Sequence, residues 1–277
     1  MEKVVGNFFK NLHDTNKNFP VSGIPSLIKN FDILTRGLLK NNLYILCGEK
    51  SCYKTSLMLS LSFNMSVFLK YSIKYFSLDS SQENLVMRSL FQCTNCDIIN
   101  FPFSKLSLGE TRRLWKAGEK LKKSPIEFFC STDINLKTVG NKCSEIADKG
   151  ICIVDYLQLL NQNNIGETLL NLKIIAEKHK IPVLVVNEID DERNIDKTFL
   201  LKNGCDVIML LKNDLMADIF DDSDDMRSYL TLEIFKNRNG NCGSCKLFFN
   251  PASLKFFNSD EEMFEDEVLD LGNEKTC

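Results

Sequence analysis

Short apolar runs alternate with amphipathic helical patterns through most of the chain, and this alternation is the feature that most restricts the possible folds. Thr55 to Leu69 and Leu106 to Lys123 both repeat apolar residues at helical spacing, and the second segment stops before Pro125. Since strand-like runs alternate with such helices, we expect an α/β fold in which a parallel β-sheet is flanked by helices on both faces. The strand-like runs are Leu43 to Cys47, Ile73 to Leu78, Ile151 to Asp155, Val183 to Asn187 and Asp206 to Leu211.

Two more strand-like segments lie near the C-terminal end of the sequence. Tyr229 to Phe235 and Cys245 to Phe249 are separated by a turn rich in Gly and Asn, which is typical of a hairpin connection. These segments predict a C-terminal β-hairpin that closes the domain.

A candidate phosphate-binding loop follows the first predicted strand and opens a predicted helix, where backbone N–H groups can be aimed at a phosphate. Gly48, Lys54 and Thr55 match the pattern G-x-x-x-x-G-K-S/T, but Tyr53 replaces the second glycine. That glycine normally lets the backbone approach the phosphates without a Cβ in the way. Taken alone, the loop leaves two alternatives open, a working nucleotide site and a loop that keeps only the shape. The candidate nucleotide-binding residues are Gly48, Glu49, Lys50, Ser51, Cys52, Tyr53, Lys54, Thr55 and Ser56.

A candidate metal-binding acid ends a later strand of the same predicted sheet. The apolar run from Ile151 ends in Asp155, as is needed to reach a Mg²⁺ ion held by the loop hydroxyl of Thr55. Strands that end in an acid are common in α/β proteins, so this signal gains weight only together with the loop.

Composition excludes several classes of protein. With 277 residues, 44% hydrophobic and 26% charged, the chain has ordinary globular composition and is not a disordered chain. The net charge of −3 gives the chain no overall attraction for nucleic acid, so contact with a polyanion requires a local basic patch. The apolar runs are shorter than the roughly 20 residues of a spanning helix, and no signal peptide is visible at the start. We therefore expect a soluble, intracellular, cytoplasmic protein without a membrane partner.

The eleven cysteines are scattered along a chain without an export signal, so free thiols are the expected state. Cys93-x-x-Cys96 and Cys242-x-x-Cys245 have the internal spacing of zinc knuckles, yet the pairs are far apart and neither has an accompanying His. The sequence leaves open whether these pairs bind metal.

Several short motifs follow one another along the chain. Asp155-Tyr156-Leu157-Gln158-Leu159 and Lys236-Asn237-Arg238-Asn239-Gly240 are the most specific. With the others they resemble, in order and spacing, the C-terminal ATPase domain of DnaB-type replicative helicases. The others are Val21 to Pro25, Phe31 to Leu38, Phe76 to Ser80 and Leu85 to Arg88.

The resemblance divides the chain into three parts. Residues 1–20 form a linker-like helix and linker, residues 21–258 the RecA-like ATPase domain, and residues 259–277 an acidic tail that we expect to be disordered. The first part could pack as an ordinary small helix or dock on a neighbouring chain. Its apolar residues, at near-helical spacing, are Val4, Val5, Phe8, Phe9 and Leu12.

The resemblance implies a RecA-like domain that works as a homo-hexameric ring, with ATP at each subunit boundary and single-stranded DNA through the centre. It further implies that Lys54 holds the β- and γ-phosphates, while Thr55 binds Mg²⁺ and Asp155 is the outer partner of that ion. Other replication proteins are candidate partners on the same grounds.

The remaining site residues come from the same likeness. Asp79 occupies the position of the family's catalytic Glu, which polarises the attacking water, and its side chain is one methylene shorter. Glu188 replaces a Gln that senses the γ-phosphate, and an anion there repels phosphate unless it is protonated or paired. Lys236 and Arg238 match the hairpin pair that reaches into the neighbouring subunit's site, and the sequence places no local acidic partner beside them. Gln158 belongs to the Asp-Tyr-Leu-Gln-Leu motif.

The sequence also departs from the family in regions that concern DNA and assembly. Asp190 to Lys197 stands where the family has an Arg-Glu-Ser-Gly element that touches the DNA backbone. This segment has more acidic than basic residues, which is unfavourable for binding phosphates. The helical N-terminal domain of full helicases is expected to be absent, with only the linker-like residues remaining.

Two functions are compatible with these features. The first is an ATP-dependent DNA helicase or translocase acting in DNA replication. The residues that favour it are Lys54, Thr55, Asp155, Gln158, Lys236 and Arg238. The second is a catalytically reduced relative that keeps the fold and serves as a non-hydrolysing assembly or loading partner. Tyr53, Asp79, Glu188 and the altered loop favour this alternative.

Overall fold

Nine strands form one continuous β-sheet in the computed structural model, which describes residues 22–98, 106–160, 164–191, 200, 203–213 and 229–258. The strands are β1 (Leu43–Gly48), β2 (Ser72–Ser77), β3 (Ile126–Cys130), β4 (Gly150–Asp155), β5 (Val183–Glu188), β6 (Val207–Lys212), β7 (Tyr229–Asn237), β8 (Gly243–Asn250) and β9 (Lys255–Phe257). Their order across the sheet is β3-β2-β4-β5-β1-β6-β7-β8-β9. From β3 to β6 in this order the strands are parallel, and β7, β8 and β9 continue the sheet antiparallel.

Helices cover both faces of the sheet. The helix that follows the phosphate-loop strand continues for one more turn as a π-helix over Asn64–Phe68. No helix within the described ranges is long and apolar enough to cross a membrane. The helices are α1 (Lys29–Thr35), α2 (Lys54–Phe63), α3 (Gln82–Thr94), α4 (Leu108–Lys122), α5 (Leu136–Ser144), α6 (Leu157–Leu160) and α7 (Ile165–His179).

The central strand β1 is buried on both of its faces. Leu43, Ile45 and Cys47 belong to one buried cluster, which also contains residues of α5 and α7. Tyr44 and Leu46 belong to a second cluster, which contains residues of α1 and α2. A parallel strand covered by helices on both sides has to be apolar throughout, which is why these runs are continuously hydrophobic in the sequence.

The carboxyl ends of the parallel strands lie at one edge of the sheet. Gly48, the last residue of β1, is in register with Glu188, the last residue of β5. Ser77 at the end of β2 is in register with Asp155 at the end of β4. Loops that leave this edge can therefore form one site, as is usual in open α/β sheets.

The predicted fold, a RecA-like parallel sheet flanked by helices with a C-terminal hairpin, is confirmed. Two strands were not predicted. The side chains of β3 are half-buried or exposed because it is an edge strand, and β9 has only three residues. Residues 1–20, the acidic tail 259–277 and residues 192–197 of the acidic loop lie outside the described residues.

Candidate functional site

A cleft of about 380 Å³ opens at the carboxyl edge of the sheet. Most of the residues predicted for nucleotide and metal binding line it together, although they come from four separate parts of the chain. Arg88, Tyr156 and Leu254 also line the cleft. The predicted residues that the cleft brings together are Lys50, Ser51, Cys52, Tyr53, Lys54, Thr55, Asp79, Asp155 and Glu188.

The loop between β1 and α2 has the tight backbone of a phosphate-binding loop. A Cβ at Gly48 would contact the Cys52 sulfur and lie 2.9 Å from the carbonyl oxygen of Leu211, so only glycine fits there. Ser51 and Tyr53 both have positive φ angles, 62° and 65°. The left-handed turn before the helix thus forms without the second glycine of the pattern.

Tyr53 places its ring away from the inside of the loop. The ring packs against Phe249 of β8, with ring centroids 4.5 Å apart, and Phe249 packs in turn against Phe256 at 4.8 Å. A left-handed conformation costs a non-glycine residue roughly 1–2 kcal/mol. Burial of the ring against the hairpin offsets that cost, so the chain keeps a loop shape that ordinarily depends on glycine.

Lys54 is only 7% exposed and points back into its own loop. Its Nζ donates to the carbonyl oxygens of Gly48, at 2.9 Å, and Glu49, at 2.6 Å. The same ammonium lies 3.7 Å from Oε2 of Glu188. The anion that the sequence predicts at the sensor position is therefore paired with the phosphate-loop lysine.

Gln158 fixes the backbone of Glu188. Its Nε2 donates to the carbonyl oxygen of Glu188, and its Oε1 accepts from the N–H of the same residue at 3.3 Å. Gln158 therefore acts on the cleft through the strand end rather than by lining the cleft itself.

Asp155 is 3% exposed and lies beside the start of α2. Its Oδ2 accepts a hydrogen bond from the Tyr75 hydroxyl at 2.8 Å. Burial raises the pKa of Asp155, while hydrogen bonds from Tyr75 and Thr55 oppose that shift. The other oxygen, Oδ1, is buried and accepts no hydrogen bond from the described residues. Because Mg²⁺ prefers oxygen ligands, this free oxygen and the Thr55 hydroxyl fit such an ion.

Asp79 lies in the loop after β2, where its side chain is exposed and borders the cleft. Burial raises the pKa of Tyr156, and the charges of Asp79, Glu188 and Asp155 add to that shift. The charges of three carboxylates thus act on one tyrosine that lines the cleft.

Arg88 of α3 was assigned no role from the sequence, although it ends one of the motifs. Its Nη2 donates to the Ser56 hydroxyl at 2.9 Å, and its charge opposes the rise that burial causes in the pKa of Asp155. Arg88 therefore adds a third cation to the cleft, beside Lys50 and Lys54 of the phosphate loop.

Lys236 and Arg238 do not line this cleft. Lys236 Nζ lies 3.5 Å from the carbonyl oxygen of Cys205, and Arg238 Nη1 lies 2.8 Å from Oδ1 of Asp206. Asp206 directly precedes β6, so both cations lie at the amino edge of the parallel strands, opposite the cleft. The expectation that Arg238 has no local acidic partner is wrong, because Asp206 is distant in sequence but adjacent in the sheet.

The two Cys-x-x-Cys pairs contribute to no metal-binding group of three or more His, Cys, Asp or Glu side chains within the described part of the chain. The Cys93 sulfur lies 3.2 Å from the Leu90 carbonyl oxygen, and Cys242 is exposed at the hairpin turn.

Comparison with known proteins supports the same family. The profile of the DnaB-like helicase C-terminal domain matches residues 23–258. The replicative DNA helicase DnaC of Bacillus subtilis is 26% identical over 93% of this chain, which covers 61% of the relative. The replicative DNA helicase DnaB of Geobacillus stearothermophilus is 24% identical over 91% of this chain, which covers 60% of the relative. The chain thus spans about three fifths of the length of these relatives.

Solved structures show the same fold. An ATPase domain solved by itself superposes with a TM-score of 0.79 at 20% identity, covering 93% of this chain and 98% of that domain. A DnaB-like replicative helicase, described with its interactions with primase, superposes with a TM-score of 0.77 at 20% identity and covers 92% of this chain and 66% of its own.

Proposed function

The chain belongs to the family of DnaB-like helicase C-terminal domains, and from this premise we propose that it is an ATP-driven DNA helicase or translocase acting in replication. The observation that carries the proposal is the meeting of Lys54, Thr55 and Asp155 at one cleft, with an oxygen of Asp155 left without a partner among the described residues. A cleft that holds both cations and a free carboxylate oxygen suits a nucleoside triphosphate with its Mg²⁺.

Within this proposal the chain's own residues hold the nucleotide. The Lys54 ammonium exchanges its carbonyl partners for the β- and γ-phosphates, and backbone N–H groups of Glu49 to Thr55 surround the phosphate oxygens. Thr55 and Asp155 would hold Mg²⁺, which neutralises charge on the phosphates when bound. Arg88, which donates to the Ser56 hydroxyl, adds positive charge to the same cavity.

Asp79 is proposed to orient the attacking water. It borders the cleft and is exposed, so its carboxylate can accept a hydrogen bond from water at the mouth. Glu188 is proposed to respond to the γ-phosphate through its contact with Lys54. A phosphate that binds the Lys54 ammonium has to break the ion pair between Lys54 and Glu188.

Lys236 and Arg238 are proposed to serve the cleft of a neighbouring copy. Both lie at the sheet edge opposite their own cleft, so they reach a nucleotide only across a subunit boundary. This arrangement supports a homo-oligomer, which we propose to be a hexamer around single-stranded DNA. Contacts with other replication proteins belong to the same proposal.

Steady-state ATP hydrolysis with and without single-stranded DNA tests the function. We expect turnover that rises with DNA and disappears in Lys54→Ala, together with strand separation on a forked duplex. A chain that binds ATP but shows no turnover above Lys54→Ala, with or without DNA, would contradict the proposal.

The second candidate is a non-hydrolysing assembly or loading partner. The Lys54–Glu188 ion pair favours it, because the family's neutral Gln would not compete with phosphate for the lysine. ATP-dependent assembly without hydrolysis in the same experiment would support this second function.

A further inference from the structure

A buried carboxylate lies at the sheet edge opposite the cleft. Asp206 is 1% exposed, and its two oxygens accept from three donors. Oδ2 accepts from the backbone N–H of Leu43 at 2.9 Å and from Lys173 Nζ at 2.6 Å, while Oδ1 accepts from Arg238 Nη1 at 2.8 Å. One carboxylate therefore links β1, α7 and the end of β7.

Asp206 is itself held firmly in place. Its backbone N–H donates to the carbonyl oxygen of Leu43 at 2.9 Å, so Leu43 bonds both its main chain and its side chain. Lys173, 14% exposed, also donates to the Asn41 carbonyl oxygen at 2.7 Å and lies 3.2 Å from Glu177. The carboxylate thus has a fixed position and a permanent counter-ion that is not Arg238.

Arg238 is fixed at its base and exposed at its end. Its backbone N–H donates to the Asp206 carbonyl oxygen at 3.0 Å, and its side chain is 63% exposed. A guanidinium carries five N–H donors in a planar fork, so a carboxylate bonded to Nη1 leaves donors on the other edge for a second anion. Arg238 borders an open polar cleft of about 690 Å³, together with Lys40, Asn41 and Asn239.

We infer that Asp206 is the positioning residue for Arg238, and that Lys173 holds Asp206 in place for this task. An arginine that acts across a subunit boundary contributes most to catalysis when its rotamer is already fixed before the nucleotide binds, because no side-chain entropy is then lost on contact. The inference rests on the proposed function, since it takes a phosphate of the neighbouring copy as the target of Arg238.

Asp206 is far from the cleft of its own chain, so a substitution there can test the positioning of Arg238 without disturbing nucleotide binding in the same chain. Asp206→Asn keeps the shape of the side chain and removes its charge, while the chain's own cleft lies at the opposite sheet edge. We expect kcat for ATP hydrolysis to fall on the order of tenfold to a hundredfold, the scale of a misplaced catalytic group. The affinity for a fluorescent ATP analogue should stay within about twofold of wild type, because Lys54, Thr55 and Asp155 are untouched.

Mixed assemblies distinguish positioning from general damage. Asp206→Asn chains mixed with Lys54→Ala chains should regain activity, because the second chain donates an intact Arg238 to the intact cleft of the first. Asp206→Asn chains mixed with Arg238→Ala chains should regain none, because neither supplies a positioned arginine. A chain damaged throughout would be rescued by neither partner, and that result, or rescue by Arg238→Ala, would overturn the inference.

Two variants of the surrounding ion pairs complete the test. Lys173→Met removes the counter-ion of Asp206 and should lower kcat less than Asp206→Asn does. The mixing experiments should give the same rescue pattern as for Asp206→Asn. This variant keeps the inference testable if Asp206→Asn fails to fold. Glu177→Gln is the matched control, because this exposed carboxylate touches Lys173 but not Asp206, and it should behave as wild type. A wild-type kcat in both Asp206→Asn and Lys173→Met would overturn the inference.

A readout without hydrolysis separates this inference from the proposed function. An arginine bonded to the neighbour's nucleotide should stabilise the assembly, so with a non-hydrolysable ATP analogue Asp206→Asn should need several-fold more protein to assemble. Wild-type assembly without any turnover would refute the proposed motor, while this shift would still support Asp206. Assembly of Asp206→Asn at the wild-type concentration, or no assembly of either protein, would overturn the inference.

Discussion

Lys54 and Glu188 form an ion pair inside the cleft, with Nζ 3.7 Å from Oε2. Glu188 is about one-third exposed, so the pair is partly screened by water and is worth no more than about 1 kcal/mol. Gln158 nevertheless holds the backbone of Glu188 from both sides, which keeps the carboxylate near the lysine. A bound γ-phosphate has to compete with this carboxylate for the same ammonium.

Glu188→Gln should therefore tighten ATP binding. The change removes a negative charge next to the phosphate position and keeps a polar side chain of the same length. We expect an affinity gain of about fivefold, equivalent to ~1 kcal/mol, in a titration with a fluorescent ATP analogue at fixed Mg²⁺. Glu49→Gln is the control, because Glu49 contacts Lys54 through its carbonyl oxygen, which the substitution keeps. Unchanged or weaker binding in Glu188→Gln would show that the pair does not oppose phosphate.

Asp79→Asn should abolish hydrolysis and leave nucleotide binding within a few-fold. The carboxylate is proposed to act on the attacking water, so its charge matters for the developing transition state and little for the bound ground state. Single-turnover hydrolysis and analogue binding measured on the same preparation check both parts. Asp133→Asn, on an exposed loop after β3, serves as the control. Turnover equal to wild type in Asp79→Asn would place this carboxylate outside the chemistry.

Tyr53→Gly should affect folding more than nucleotide affinity. Glycine relieves the left-handed backbone, but the substitution removes the ring that packs at 4.5 Å on Phe249. Loss of the aromatic contact together with the apolar area that the ring buries against the core outweighs the relief, so we expect a net loss of about 1 kcal/mol in the free energy of unfolding, measured by urea titration. ATP affinity should change by less than about threefold, because the ring already lies outside the loop.

Tyr53→Phe provides the matched control for that experiment. It keeps the ring and removes only the hydroxyl, so both stability and affinity should equal those of wild type. A gain of about tenfold or more in affinity for Tyr53→Gly would mean that the tyrosine limits nucleotide use, as the altered loop pattern first indicates.

The order of elements was predictable because burial on both faces makes a parallel strand apolar throughout. Ile151 to Asp155 and Val183 to Asn187 are examples, since each stands out as an unbroken hydrophobic run that ends in polar residues. The carboxyl ends of such strands meet at one edge, so the co-location of Lys54 and Asp155 also followed from the pattern. Glu188 was added to the site only by the resemblance to the helicase family. Edge strand β3 has no such signal, because its side chains are partly exposed.

Contacts between distant segments were not predictable from local patterns. The partner of Tyr53 is Phe249 on the hairpin, and the partner of Arg238 is Asp206 at the start of a different strand. Both contacts depend on how β6, β7 and β8 are placed in the sheet, which spacing along the chain does not specify. Arg88 was missed because an arginine in a helix is most often a solvated residue.

A pH-dependent contribution to stability should come from Glu145, on the side of the sheet away from the hairpin. Hydrogen bonds from Lys142, at 2.9 Å, and Lys74, at 2.8 Å, lower the pKa of Glu145 from 4.5 to about 2. Lys74 is 3% exposed, so this carboxylate helps to satisfy a buried ammonium that also pairs with Glu127. Protonation of Glu145 should therefore weaken a contact that the folded state uses and the unfolded state lacks.

The direction in which stability changes with pH follows from the lowered pKa of Glu145. Because the folded pKa lies below the unfolded one, the stabilisation is fully present above about pH 4.5 and is lost as the pH falls towards about 2. Urea unfolding in steps across that window should show a falling free energy of unfolding in wild type. Glu145→Gln should be less stable at neutral pH and show a flatter dependence in the window, whereas Asp133→Asn on the exposed loop should follow wild type. Equal slopes for wild type and Glu145→Gln would show that the Lys74 and Lys142 contacts contribute no stability.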